Sequence, residues 1–116
     1  MFDFEKLSVY KLAKSYYSDV NKLIAKTACS RSIQNQLERA SLSILLNIAE
    51  GTGRSTNRDK RRFYVMARGS VFECAAVIDI LKEENQIAKE DFASFYVRLE
   101  ELSKMLHGLI RSMSEE

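Results

Sequence analysis

Residues 41–73 read SLSILLNIAEGTGRSTNRDKRRFYVMARGSVFE, and the order of patterns in this stretch decides the fold that we expect. Apolar residues recur at helical spacing as far as Ala49, and a short segment containing Gly51 and Gly53 then interrupts the pattern. A second helical pattern begins with an arginine-rich turn around Arg58. We therefore expect two helices joined by a tight connection, with a cluster of cations where the second helix starts.

Helical periodicity continues on both sides of this stretch and predicts four helices in all. Each expected helix has apolar residues at spacings of three and four, and the chain contains no proline and no segment of strand-like alternation. The expected helices cover residues 3–27 (starting at 3 or 5), 33–50, 57–85 and 89–113. Short connections between long amphipathic helices predict an all-α fold, an antiparallel up-down-up-down four-helix bundle in which residues 1–116 form one domain.

Particular residues are expected to begin and end the helices. Ser30 or Ser32 is the expected N-cap of the second helix, and Thr56 that of the third. Gly51 and Gly53 are expected to end the second helix, because glycine tolerates the left-handed conformation common at that position.

The second helix carries two apolar stripes, which predicts burial on two sides. In a small bundle the second side often faces another subunit. The residues of the second stripe are Leu42, Leu45, Leu46 and Ala49. In the third helix Phe63 lies in the apolar stripe and Phe72 widens it, so both are expected on the core face.

The composition is that of a globular chain, with 46% hydrophobic and 29% charged residues. No apolar run approaches the roughly 18 residues of a membrane span, and the N-terminus lacks the pattern of a signal peptide. We therefore expect a cytoplasmic protein. Cys29 and Cys74 do not form a disulfide framework in a chain of this length, and a single histidine with no metal-binding spacing predicts no metal and no cofactor.

The charge is unevenly distributed, although the net charge is only +2. Residues 1–70 carry 13 Lys or Arg against 6 Asp or Glu, whereas residues 71–116 carry 5 against 10. The basic half predicts an anionic partner, and the same asymmetry could also serve contacts within or between subunits.

Five segments of the chain together carry a family resemblance. They are FEKLSVY at 4–10, QLERASLSI at 36–44, NIAEG at 47–51, ARGS at 67–70 followed by Glu73, and KMLHGLI at 104–110. On these segments the chain resembles the four helix bundle protein family, also called the large-subunit ribosomal RNA intervening-sequence proteins. The accessory variability determinant of diversity-generating retroelements is related to this family.

The resemblance implies an antiparallel four-helix bundle that assembles as a homopentamer and has no known enzyme activity. It also implies, from the retroelement relatives, a basic surface that binds nucleic acid and cooperation with a reverse transcriptase. The proteins of the family are for the most part of unestablished function.

A basic cluster at the start of the third helix is the first candidate site. Like charges at a helix N-terminus repel one another and oppose the helix dipole, at about 0.3–1 kcal/mol each, and a bound phosphate would reverse that cost. We therefore predict contact with RNA or DNA backbone, with solvated side chains or ion pairs between subunits as the alternatives. The predicted nucleic-acid-binding residues are Arg54, Arg58, Lys60, Arg61 and Arg62.

A polar set on the second and third helices is the second candidate site: Asn47, Glu50, Arg68 and Glu73. We interpret it as a structural set, in which a buried contact between Glu50 and Arg68 fixes helix register, or as part of a subunit interface. The alternative is a paired-carboxylate catalytic site, but no nucleophile, metal spacing or phosphate loop accompanies it. We therefore expect a protein that is not an enzyme.

A tyrosine and a glycine also suggest contacts, the first with nucleic acid and the second with another helix or subunit. Among the tyrosines, Tyr64 is the best candidate for stacking on an unpaired base, although an aromatic at the edge of the core is the more common arrangement. Gly108 lies inside the fourth helix at a cost of roughly 1 kcal/mol relative to alanine, which predicts a close approach of another helix or subunit.

Overall fold

A computed structural model of the protein describes residues 1–113 and contains four long helices. They are α1 (Ser8–Lys26), α2 (Arg31–Thr52), α3 (Asn57–Glu83) and α4 (Lys89–Ser112), and a short 3₁₀ helix over Asp3–Lys6 precedes α1. No strand occurs in these 113 residues, so the all-α prediction is confirmed. None of the helices in this part of the chain combines the length and the apolar character that crossing a membrane requires.

Contacts between the helices pair residues in reverse order along the chain, which makes neighbouring helices antiparallel. Asp19 and Lys26 of α1 pair with Arg98 and Asp91 of α4, so that the later residue of one helix meets the earlier residue of the other. The same reversal relates α2 to α3 and α3 to α4 through the pairs Ser43–Ser70, Thr52–Tyr64, Arg68–Ser103 and Lys82–Phe92. The connection between α2 and α3 therefore lies at the same end of the bundle as the C-terminus of α4.

The helix boundaries follow local capping chemistry. Ser30 is the N-cap of α2, where its hydroxyl accepts a hydrogen bond from the Ile33 amide over 3.2 Å. Thr56 caps α3 in the same way, accepting from the Asp59 amide over 3.1 Å. α1 begins later than expected, because the backbone at Leu7 is extended and separates the 3₁₀ helix from Ser8.

The expected left-handed glycines at the end of α2 are wrong. Gly51 lies within α2, and Gly53 has a φ of −83°, which any residue can adopt. Gly51 is required for space instead, because a Cβ there would lie 2.9 Å from Cβ of Phe63 and 3.0 Å from Cε1 of Tyr64. At Gly108 an added Cβ would meet nothing within 4 Å, so the close helix approach expected there is absent within the protomer.

The core lies between all four helices and contains a polar cluster formed by Tyr16, Ser41 and Cys74. These three residues come from α1, α2 and α3 and are fully buried, and the Ser41 hydroxyl lies 3.4 Å from both the Tyr16 oxygen and the Cys74 sulfur. The ring of Phe95 of α4 packs edge-on against Tyr16. Burial raises the pKa of the Cys74 thiol and raises that of the Tyr16 phenol well above its usual value.

Two apolar side chains expected in the interior lie on the surface. Leu46, from the second stripe of α2, is 57% exposed, and Phe72, which the periodicity of α3 assigned to the core face, is also 57% exposed. Leu45 of the same stripe is buried, and Leu42 is half-buried. The prediction that α2 is buried on two sides is therefore wrong for Leu46 within one protomer.

Candidate nucleic-acid interface

The basic cluster lies where the chain turns from α2 into α3, and the sequence fixes that turn tightly. Only Gly53 to Thr56 separate the two helices, and the Thr56 cap starts α3 at Asn57. The lack of a side chain at Gly51 allows the last turn of α2 to lie directly against Phe63 and Tyr64 of α3. The cations on either side of the turn are therefore held on a rigid corner of the bundle.

Lys60 differs from the other cations of the cluster, because its ammonium group has a partner inside the turn. Its Nζ donates a hydrogen bond to the carbonyl oxygen of Thr52 over 2.8 Å. That oxygen is one of the carbonyls left unpaired at the C-terminus of α2, and a cation is favourable at this end of a helix dipole. Lys60 thus stabilises the turn and presents only part of its charge to solvent.

Arg54 and Arg62 lie over the same aromatic ring. Their guanidinium carbons are 4.6 and 4.9 Å from the centroid of Phe63, within the range of cation–π contacts. Arg54 also pairs with Glu50 over 2.6 Å, and Arg62 lies 4.0 Å from Asp59. These contacts hold both guanidinium groups in place while leaving a large part of each exposed to solvent.

Arg58 and Arg61 are the free cations of the cluster. Both are exposed on the first turns of α3, and in the part of the chain that the structure describes no carboxylate lies within ion-pair distance of either. They lie in the first two turns of α3, where the helix dipole is positive. This corner therefore carries positive charge that nothing in the described protomer neutralises.

Further exposed cations lie on α4, whose C-terminus is at the same end of the bundle as the basic cluster. Val65 of α3 and Ile110 of α4 line one groove, which places the exposed Arg111 on the same end of the molecule as Arg61. Lys104 is exposed about two turns earlier on α4.

The structure does not bring the predicted polar set together as one site. The predicted contact between Glu50 and Arg68 is wrong, because Glu50 pairs with Arg54 on its own helix. Arg68 instead donates from Nε to the carbonyl oxygen of Ser103 on α4, over 3.3 Å, and its guanidinium lies 4.9 Å from the centroid of Phe72. Helical spacing could have revealed the first pair, since Glu50 and Arg54 are four residues apart.

Asn47 and Glu73 also have separate surroundings. The Asn47 amide donates to the carbonyl and hydroxyl oxygens of Ser43 on its own helix, at 2.9 and 3.0 Å. The Ser43 hydroxyl in turn lies 2.9 Å from that of Ser70, which links α2 to α3. Glu73 is exposed to solvent. Within residues 1–113 no group of three or more His, Cys, Asp or Glu side chains is arranged to hold a metal ion.

Tyr64 cannot stack on a base, because it is only 2% exposed and its hydroxyl lies 2.9 Å from that of Thr52. The aromatic residues that reach the surface near the cations are Phe63 and Phe72. Both residues were expected on the core face of α3. In the sequence, Phe63 directly follows Arg62 and Phe72 lies four residues after Arg68, and this spacing from an arginine was the signal that could have distinguished them from the other apolar residues.

Comparison with known proteins gives a family and a fold. The family model described as 23S rRNA-intervening sequence protein matches residues 5–108. A solved structure from Bacteroides thetaiotaomicron VPI-5482, a protein of unknown function from the S23 ribosomal protein family, superimposes with a TM-score of 0.82. It is 19% identical and covers 88% of this chain and 97% of its own, so the likeness concerns the fold. No curated protein matches the chain.

The match takes in all of α1, α2 and α3, most of α4, and every residue of the basic cluster and of the polar set. The chain is therefore a member of the 23S rRNA-intervening sequence protein family.

Proposed function

We propose that this protein is a self-associating accessory protein that contacts the phosphate backbone of RNA or DNA through its basic corner. The basic corner is the turn between α2 and α3 with the cations Arg54, Arg58, Lys60, Arg61 and Arg62. The observation that carries the proposal is the pair Arg58 and Arg61, exposed at the start of α3 without an acidic partner among the described residues. Two like charges at a helix N-terminus are unfavourable until an anion binds, and nucleic-acid phosphates supply such anions at regular spacing. The family name adds an RNA context.

The cations of the corner divide into two roles in this proposal. Arg58 and Arg61 provide exposed charge without a carboxylate partner for the phosphates. Arg54 and Arg62 provide guanidinium groups already oriented by Phe63, which lowers the entropic cost of binding. Contacts of this kind position a nucleic acid without reading its bases, so we expect steep dependence on salt and little dependence on sequence.

We further propose a homopentamer without catalytic activity, located in the cytoplasm. Exposed Leu46 and Phe72 support self-association, because large apolar side chains on a rigid helix surface are characteristic of interfaces. Separate partners for Glu50 and Arg68 argue against a shared catalytic site. Light scattering should give five times the 13.3 kDa of one chain, and a mass of one chain at micromolar concentration would contradict self-association.

A second candidate function is a protein-interaction module that does not bind nucleic acid. The same exposed apolar residues favour it, and the family resemblance makes a reverse transcriptase the first protein partner to test by co-purification. In that case the cations of the basic corner would form ion pairs with acidic residues of the partner.

Fluorescence anisotropy separates the two functions. Labelled structured RNA, duplex DNA and single-stranded DNA are titrated with the protein at several salt concentrations. We expect the double variant Arg58→Glu, Arg61→Glu to bind at least roughly tenfold more weakly, since each chain then has two fewer charge-assisted hydrogen bonds to phosphate. The slope of log affinity against log salt should fall by about 0.9 for each phosphate that the variant no longer neutralises on duplex DNA, or about 0.7 on a single strand.

The matched control is Lys11→Glu, Lys14→Glu. These lysines are also three residues apart and exposed on a helix, so both double variants change the net charge equally. Equal weakening by the two double variants would mean that only net charge matters and would contradict a site at the corner. No binding of the unaltered protein at low salt would favour the interaction module.

A further inference from the structure

Phe63 and two arginines form a platform of flat groups inside the basic corner. The guanidinium carbons of Arg54 and Arg62 lie 4.6 and 4.9 Å from the centroid of the Phe63 ring. The Cβ of Phe63 packs against Gly51, where an added Cβ would come within 2.9 Å of it, so the ring is fixed against α2. Both arginines also have a carboxylate within 4.0 Å, and their side chains are 40% and 62% exposed. The corner therefore presents fixed planar groups to solvent besides its free cations.

Flat groups of this kind bind nucleobases by stacking. A base stacks on an aromatic ring or on the plane of an arginine guanidinium, and the contact tolerates any base. In a duplex the faces of each base are covered by the neighbouring base pairs, whereas the bases of single strands, loops and ends can be splayed out. The platform of Phe63, Arg54 and Arg62 therefore offers a contact that unpaired nucleotides can make and paired nucleotides cannot.

A second stacking surface lies on the short 3₁₀ helix before α1. The rings of Phe2 and Phe4 are stacked, with centroids 5.7 Å apart and planes 13° apart. Phe4 also packs edge-on against Tyr10. The Phe2 amide donates a hydrogen bond to the Glu5 carboxylate over 2.8 Å, so both members of the pair are held. Because Phe2 is 73% exposed, a base can extend this stack over its ring.

The two stacking surfaces lie at the same end of the bundle. Tyr16 of α1 contacts Ser41 of α2. The next residue, Tyr17, contacts the earlier Glu38, so earlier positions on α1 lie beside later positions on α2. The 3₁₀ helix precedes α1 and contacts α2, which places it near the end of α2, where the basic corner begins. Neighbouring helices of a bundle are about 8–10 Å apart, so a short single strand spans both surfaces.

The charges near the two surfaces differ, and they favour different parts of a nucleotide. Arg58 and Arg61, the free cations of the corner, lie within two turns of Phe63 on α3, so phosphates are favoured next to the platform. The 3₁₀ helix carries the acidic Asp3 and Glu5 and one lysine. These carboxylates disfavour a phosphate but not an uncharged base, so the second surface suits the base of a nucleotide.

We propose that this end of the bundle binds unpaired nucleotides of RNA or DNA. Their phosphates contact Arg58 and Arg61, and their bases stack on the Phe63 platform and on Phe2. This inference rests on the nucleic-acid contact in the proposed function and deepens it by naming the class of substrate: single strands, loops and ends, whose bases are exposed. Stacking requires no base-specific hydrogen bonds, so binding depends little on sequence.

Abasic strands separate stacking from phosphate contacts. Labelled single-stranded RNA and DNA oligonucleotides are compared by fluorescence anisotropy with strands of the same length whose central nucleotides are abasic, and with duplexes of the same sequence. The abasic strands keep the phosphates and lack the bases. We expect the unaltered protein to bind the normal strand at least about fivefold more tightly than the abasic strand, because loss of even one stacked base has an effect of that size. The RNA and DNA strands show which nucleic acid supplies the bound nucleotides.

Uncharged variants assign the stacking to the two surfaces. Phe2→Ser removes the exposed ring, and Phe63→Leu removes the ring of the platform but keeps an apolar side chain against Gly51. Each should weaken binding of the normal strand roughly fivefold and leave duplex binding unchanged. The slope of log affinity against log salt should stay the same, because no phosphate contact is lost.

Tyr96→Ser is the matched control for both variants. Tyr96 also stacks on a phenylalanine and is 43% exposed, but it lies in the half of α4 nearer the opposite end of the bundle. Far-UV circular dichroism establishes that each variant is folded. Phe2→Ser changes only an exposed side chain, so its result decides if Phe63→Leu does not fold.

Two kinds of result overturn the inference, and they differ in what remains of the proposed function. If normal and abasic strands bind equally, or if either folded phenylalanine variant binds the normal strand as tightly as Tyr96→Ser does, the stacking is refuted while phosphate contact stands. If the unaltered protein binds neither strand nor duplex at low salt, the proposed nucleic-acid contact fails and the stacking fails with it.

Discussion

Replacing Gly51 with alanine is expected to destabilise the protein, although alanine favours helices. An added Cβ would lie 2.9 Å from Cβ of Phe63, 3.0 Å from Cε1 of Tyr64 and 3.2 Å from the carbonyl oxygen of Lys60. Carbon atoms in favourable contact are about 3.5–4.0 Å apart, so α2 and α3 must separate by several tenths of an ångström. The Phe63 Cβ and the Lys60 oxygen are fixed to the backbone of α3 and cannot rotate away.

The magnitude follows from two opposing contributions. Overpacking of this kind costs about 1–3 kcal/mol, and the helix preference of alanine over glycine returns about 1 kcal/mol. Because the contact involves backbone atoms, we place the overpacking in the upper half of its range and expect a net loss of about 1–2 kcal/mol. For a domain of this size that loss corresponds to a decrease in Tm of roughly 4–8 °C.

Gly53→Ala provides the matched control within the same turn. Its backbone has φ −83° and ψ −6°, and the nearest atoms to an added Cβ are carbonyl oxygens at 3.6 and 3.7 Å. Alanine therefore fits, and restricting the unfolded chain should raise stability by about 0.4–1 kcal/mol. Thermal and urea unfolding followed by circular dichroism, at one fixed chain concentration, measures both variants. A Gly51→Ala protein as stable as the unaltered one would refute the reasoning.

Two other expectations concern single side chains. Lys60→Met should lower the midpoint of urea unfolding, because the Thr52 carbonyl loses its hydrogen-bond partner. The same variant should weaken nucleic-acid binding less than Arg58→Glu does. If anisotropy shows the opposite order of binding loss, the structural role of Lys60 is contradicted. Cys74 should resist Ellman's reagent until the protein unfolds, whereas half-exposed Cys29 reacts in the native state. Equal reaction rates of the two thiols in the native protein would contradict the buried position of Cys74. Because burial raises the Cys74 pKa, unfolding releases its proton above about pH 8.5, and stability should decrease as pH rises through that range.

The helices were predictable because their signals are local. Ser30 and Thr56 each precede a helical pattern and can reach an amide three residues on. Thr56 was expected as a cap and is one, and of the two candidates Ser30 and Ser32 the structure has Ser30. The conformation at the end of α2 was not predictable in the same way. Gly51 satisfies a contact with Phe63 on another helix, and no local pattern distinguishes that requirement from a left-handed turn.

The surface was harder to predict than the core. Helical periodicity identifies which residues share a face, but a helix with two apolar faces does not reveal which one points into its own bundle, and Leu46 and Phe72 were misplaced for this reason. The partners of charged residues depend on side-chain reach across helices. The interaction of Arg68 with the carbonyl of Ser103 on α4 therefore had no counterpart in the sequence.

The buried cluster of Tyr16, Ser41 and Cys74 has a consequence for how uniquely this chain folds. Leucine and valine faces remain apolar when one helix slides past another by a turn, so an apolar core alone tolerates several alignments. A slide of about 5.4 Å would carry Ser41 away from both of its partners and leave polar atoms buried without hydrogen bonds, at about 1–3 kcal/mol each. The hydrogen bonds of Ser41 therefore select a single register for α1, α2 and α3.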